Sequence, residues 1–169
     1  AKGYAVDVIS NYIESKGHLN YLIDIGGEIK SAGTNISKKD HWKIAINNPD
    51  LNNPNSFYKI LRLSNHSIAT SGNYRNYKID SFTGNKYVHI LNPITGKSQQ
   101  TNILSASVVS SSCFKSDAFA TAMMATNLKN AISLTENNND IESFIIYVDS
   151  LNNITNYASA GFKKLLLKP

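Results

Sequence analysis

A chain of 169 residues with 41% hydrophobic content can bury one sizeable core, and it contains no run near the roughly 18 apolar residues of a membrane span. A net charge of +5 would suit an anionic partner, but nearly all the positive charge is Lys, spread from Lys2 to Lys168. Arg62 and Arg75 are the only arginines, which argues against nucleic-acid binding, and the single Cys113 excludes an intrachain disulfide.

In chain order, Ala5, Val8, Ile9, Tyr12 and Ile13 recur at helical spacing with Gly17 beyond them, so residues 4 to 16 are predicted as an amphipathic helix. Tyr21 to Ile25 and Glu28 to Ser31 are β-prone runs split by Gly26-Gly27, either two tightly joined strands or one interrupted strand. Further strands are predicted at Trp42 to Ile46, Phe57 to Leu63, Ser67 to Ser71, Tyr74 to Lys78, Tyr87 to Leu91 and Ile103 to Ser110. Asn-rich stretches at residues 47–55 and 137–139 separate apolar segments and are predicted as loops. Asp117 to Asn127 is rich in Ala and Met and is predicted as a buried helix, followed by a second around Lys129 to Leu134. Ile141 to Val148 and Ile154 to Ala158 form a closing pair of strands around a turn at residues 149–153. Helices at both ends of a run of strands indicate one α+β domain with a mostly antiparallel sheet over residues 1–169, not alternating βαβ units.

Residues 67–77 combine the small hydroxyl residues Thr70 and Ser71, Gly72, and Arg75 between Tyr74 and Tyr77, a composition suited to a ligand wall. Gly72 lets backbone approach closely, hydroxyls donate to phosphate oxygens, and Arg75 can pair with an anion. The alternative is a hairpin with surface tyrosines and a solvated Arg. Asp117 and Thr121 stand four apart on the predicted helix, so a carboxylate and a hydroxyl on one face could share a hard cation such as Mg2+. If that helix begins near Ser116, its N-terminal amides would add to an anion-attracting field. Equally, Ser116 could be the N-cap, with Asp117 answering the helix dipole and Thr121 bonding back to a carbonyl. His89, flanked by apolar residues beside the Asn92-Pro93 turn, could take a proton from a hydroxyl nucleophile, or could be a packed structural histidine.

Five segments in order resemble the signature blocks of the ApbE family: residues 2–7 (Lys2-Gly3-Tyr4-Ala5-Val6-Asp7), 24–28 (Asp24-Ile25-Gly26-Gly27-Glu28), 71–77, His89-Ile90 with Pro93 and Thr95-Gly96, and 116–122. Where the family commonly reads His-x-x-Asp-Pro-Arg-Thr-Gly, Asn92 and Ile94 replace the acidic and basic residues. The resemblance implies a T-fold-like α+β fold and an Mg2+-dependent transferase. That enzyme would take FAD as substrate, attach FMN to a Thr or Ser hydroxyl of an acceptor flavoprotein subunit, and release AMP. Hydrolysis of FAD to FMN and AMP is the alternative. It implies Asp117 and Thr121 as metal ligands, Lys2, Gly3, Glu28, Ser71, Gly72, Tyr74 and Arg75 as FAD-binding residues, and His89 as the base. Because family members extend well before the Lys-Gly-Tyr-Ala block, the chain is expected to be a C-terminal portion of that fold, with a homodimer through exposed edges as a possible consequence. A periplasmic site, or the outer face of the cytoplasmic membrane, is the compartment the family implies.

Overall fold

A computed structural model describes residues 1–49, 56–72, 77–79, 86–88, 96 and 101–167. Helix α1 (Lys2–Ser15) leads into strands β1 (Tyr21–Ile25), β2 (Glu28–Ala32), β3 (Trp42–Asn47), β4 (Phe57–Leu63), β5 (His66–Gly72), β6 (Tyr77–Ile79), β7 (Lys86–Val88) and β8 (Ile103–Ser110). Helices α2 (Cys113–Met124) and α3 (Leu128–Glu136), strands β9 (Ile141–Val148) and β10 (Ile154–Ala158), and helix α4 (Ala160–Leu165) complete the order. The α+β expectation holds. Six strands form one antiparallel sheet in the order β1-β2-β5-β8-β9-β10, while β3–β4 and β6–β7 pair as separate hairpins.

Alternation along the central strands explains the layering. In β8, Ala106 and Val108 face α2 and α3 in a core with Ala120, Met123, Met124 and Ala131, whereas Val109 faces the other way. In β9, Ile145 belongs to the helical side. Phe144 and Ile146 pack with Ile44, Ile46, Leu61 and Leu63 of the β3–β4 hairpin and with Phe162 of α4. The sheet is therefore apolar on both faces, with α1, α2 and α3 over one and the hairpin with α4 over the other.

Two glycines make the β1–β2 turn. Gly26 (φ +62) and Gly27 (φ +96) are both left-handed, as a two-residue hairpin turn between the paired Ile25 and Glu28 requires. The interrupted-strand alternative is thereby resolved in favour of two strands.

Helix α2 starts four residues earlier than the sequence suggests. Its N-cap is Ser112, whose hydroxyl accepts from the Lys115 amide at 3.4 Å. Ser116 lies buried inside the helix and hydrogen-bonds Ser110 through their hydroxyls at 2.9 Å, so the reading of Ser116 as the cap is corrected. Helix α4, which periodicity over six residues could not reveal, is held by a distant carboxylate. Glu142 Oε2 accepts the Gly161 and Phe162 amides at 3.0 and 3.2 Å and the Ser159 hydroxyl.

Candidate functional site

Lys2 and Gly3 open α1, placing them beside the β1–β2 turn and the middle of α2. Lys2 Nζ lies 2.6 Å from Glu28 Oε2, an ion pair by distance rather than an aligned hydrogen bond, and donates to the Gly26 carbonyl at 3.2 Å. Glu28 is nearly buried, its side chain 6% exposed, so the half-exposed ammonium of Lys2 is the charge that compensates it.

The Gly3 amide donates to Asp117 Oδ2 at 3.0 Å, and the Ala1 amino group lies 3.5 Å from the same oxygen. Asp117 thus receives the first-turn Gly3 amide of α1, not the N-terminal amides of its own helix, which corrects the expectation that α2 begins near it. This approach needs a glycine. A Cβ on Gly3 would stand 2.7 Å from Asp117 Cβ and 2.8 Å from the Cys113 carbonyl carbon, with the carbonyl oxygen closer still.

One turn on, Thr121 Oγ1 meets Ser71 Oγ of β5 at 3.3 Å. Thr121 is exposed and the Asp117 side chain is 21% exposed, so both residues of this i, i+4 pair reach solvent, Asp117 on the side of α1 and Thr121 on the side of β5. Contacts thus link Glu28 with Lys2, Gly3 with Asp117, and Thr121 with Ser71, with helix α2 joining the last two pairs and Gly72 next in the strand. Among the described residues no group of three or more His, Cys, Asp or Glu side chains gathers as a metal site, here or elsewhere. Tyr74, Arg75 and His89 lie outside the described residues, as do Asn92 and Ile94.

The hydroxyl-rich wall is split by the strand's own alternation. Ser71 faces α2, whereas Thr70 faces the opposite side, bonding the Ser107 hydroxyl at 2.8 Å and lining a groove of about 420 Å³ with Asp24, Lys43, Asn47 and Ser105.

Asp7 is the residue that the sequence reading passed over. Although it lies inside a quoted block, its role depends on partners more than 100 positions away: the Cys113 amide (3.0 Å), the Phe114 amide (2.8 Å) and the Ser112 hydroxyl (2.8 Å), with Lys30 Nζ at 3.2 Å. No local pattern reports such a cap. Burial pushes its carboxyl up, but the two amides, the hydroxyl and Lys30 outweigh it and hold the group below its ordinary value of 3.8. A depressed folded value contributes stability above the ordinary value and loses it as pH falls through the folded one. Acidification below about pH 4 is therefore expected to lower the urea midpoint, and Asp7→Asn to remove part of that slope. Asp40 and Asp140 are also held low, by Lys43 and Lys115, but Asp140 is exposed and half-buried Asp40 faces two solvent-exposed cations, so both contribute little.

Beside this cluster the Cys113 thiol is pushed up to about 12, by burial first and then by the negative charge of Asp7, Glu28 and Asp117. It stays protonated and is no nucleophile.

Relatives bear on this arrangement. An FAD:protein FMN transferase of Vibrio cholerae is 36% identical over 168 residues, spanning 99% of this chain and 48% of that protein. The same-named protein of Haemophilus influenzae is 32% identical over 98% of this chain and 46% of its own length. Among solved structures, the flavin transferase ApbE from Vibrio cholerae superposes with a TM-score of 0.82 at 33% identity, covering 98% of this chain and 50% of that one. The apo flavinyl transferase ApbE of Pseudomonas stutzeri gives a TM-score of 0.82 at 29% identity, covering 98% and 49%. The chain spans about half the length of the curated relatives it matches. The sequence model of the ApbE family matches residues 1–145, which takes in every signature block named above, and the chain belongs to the ApbE family.

Proposed function

We propose that this chain carries the metal-binding half of an enzyme that transfers FMN from FAD to a Thr or Ser hydroxyl of an acceptor flavoprotein subunit, releasing AMP. The observation that supports it most is the placement of solvent-reaching Asp117 and Thr121 one turn apart on α2, with Ser71 against Thr121, in a chain whose relatives are named FAD:protein FMN transferase. The donor chemistry fits Mg2+: one carboxylate and neutral hydroxyls are hard oxygen ligands, and a single carboxylate leaves net positive charge for a diphosphate. Asp117 and Thr121 would hold the ion, which when bound supplies charge neutralisation at the diphosphate.

Around that position Lys2 offers an ammonium half-exposed at the site's edge, and its partner Glu28 keeps the stem oriented. Gly3, Ser71, Gly72, Tyr74 and Arg75 complete the proposed FAD contacts. His89 takes the proton of the acceptor hydroxyl as its oxygen bonds the FMN phosphorus. The phosphorus–oxygen bond to AMP then breaks, and AMP leaves with the electron pair. The acceptor works outside the cytoplasm on this reading; no described helix is long and apolar enough to cross a membrane.

The test incubates the chain with FAD, Mg2+ and an acceptor domain, with an EDTA arm, and reads flavin fluorescence in a denaturing gel together with AMP. A fluorescent acceptor band, lost in EDTA, is expected. AMP without a labelled acceptor would convert the reading to FAD hydrolysis, and neither product would overturn it for this chain.

A further inference from the structure

The geometry points to Asp7 as a positioning residue: by clamping the first turn of α2 to α1 it sets where Asp117 and Thr121 stand over Ser71, an inference that rests on the proposed reading of those residues as the cation and diphosphate site. Both carboxylate oxygens of Asp7 are engaged, Oδ1 by the Cys113 amide and Lys30, Oδ2 by the Phe114 amide and the Ser112 hydroxyl. The local cap is weaker, since Ser112 Oγ accepts the Lys115 amide only at 3.4 Å while its own proton goes to Asp7.

A reciprocal clamp operates one turn away. Asp117, on α2, accepts the Gly3 amide of α1, while Asp7, on α1, accepts the Cys113 and Phe114 amides of α2. Moving from residue 3 to residue 7 on one helix thus moves from 117 back to 113 on the other, so the helices run antiparallel and the two clamps share one register. A slip of a single residue, about 1.5 Å along the axis, would break both. Lys30 ties the clamp to β2, the strand that also carries Glu28 at its start. Helix α2 is thereby fixed against both α1 and the sheet, and Thr121 is held against Ser71 of β5. Displacements of about 1 Å at a reacting centre are costly, which gives this remote carboxylate leverage on the site.

The test uses the chain uniformly labelled with ¹⁵N. In Asp7→Asn, an isosteric change that removes the charge and one acceptor, the Gly3 amide resonance is expected to shift. The amides of residues 113–116 should exchange about tenfold faster, the equivalent of one charge-assisted hydrogen bond, while those of β9 and β10 stay unchanged. Affinity for Mn2+, used as the paramagnetic probe, should fall about tenfold, and Asp7→Glu should recover part of both effects. Glu142→Gln is the control, because it removes the same kind of carboxylate cap from α4 on the other face of the sheet. An unmoved Gly3 resonance in Asp7→Asn, or equal losses in Glu142→Gln, would overturn the inference by making Asp7 a general stabiliser. If Asp7→Asn does not fold, Lys30→Gln must shift the Gly3 resonance in the same sense, and its failure to do so overturns the inference too. Absence of Mn2+ binding in the parent, or binding that survives Asp117→Ala, would count against the cation reading alone, with the Gly3 resonance still deciding the role of Asp7.

Discussion

Gly3→Ala is expected to destabilise the fold by at least about 2 kcal/mol, read as a lowered urea midpoint at unchanged slope. The added methyl would meet the Cys113 carbonyl and Asp117 Cβ, and neither can swing aside: one is helix backbone, the other the first carbon of a side chain pinned by the Gly3 amide. Overpacking against such atoms costs about 3 kcal/mol or more, and the gain in helix propensity from replacing glycine returns at most about 1. The helices must therefore move apart, which lengthens the Gly3–Asp117 bond and lifts Thr121 from Ser71. Stability and Mn2+ affinity should fall together. A variant that kept both would mean the helices can part without disturbing the cluster, and would remove the structural reason for a glycine there.

Much of the sheet was legible because most of its strands are short segments rich in apolar, aromatic and β-branched residues, free of Gly and Pro and bounded by turn residues. Tyr21–Ile25, Phe57–Leu63, Ile103–Ser110, Ile141–Val148 and Ile154–Ala158 have the bounds that composition and period predict. The starts of α2 and α4 were less legible for one physical reason: the carboxylates that cap them are remote. Helix α2 takes a carboxylate from residue 7 and α4 one from residue 142, so Ser116 drew attention as a local cap while Ser112 and Asp7 shared the work. Both ends of α1 were also displaced, Lys2–Ser15 replacing 4 to 16, and this shift makes Lys2 and Gly3 first-turn residues whose amide and ammonium can serve neighbours. In the candidate site, the i, i+4 relation of Asp117 and Thr121 followed from the sequence. Their juxtaposition with Gly3 and Ser71, 114 and 50 residues distant, had no local signal and entered only as a resemblance among ordered blocks.

At Asp117 a structural role, read in the sequence as answering a helix dipole and found in the structure as accepting the Gly3 amide of α1, competes with a metal-ligand role. The two make opposite predictions, and Asp117→Asn separates them. The amide oxygen of Asn can still accept the Gly3 N–H, so the loss of charge alone should leave the urea midpoint nearly unchanged. As a metal ligand, however, the carboxylate supplies the only formal negative charge in the Asp117, Thr121 and Ser71 set. Removing groups that merely support a ligand commonly costs about 10–100-fold, so replacing the ligand itself should cost at least about 100-fold in Mn2+ affinity and in Mg2+-dependent FAD turnover. Asp117→Ala removes the acceptor as well and should add about 1–2 kcal/mol of destabilisation to the same metal defect. The informative comparison is Asn against Ala. Equal metal loss with unequal stability assigns Asp117 two separable functions, a ligand through its charge and a cap through its oxygen. If Asn preserved affinity and turnover while Ala lost both, Asp117 would act on the site only by holding α1, and the cation would have to be sought among other oxygens.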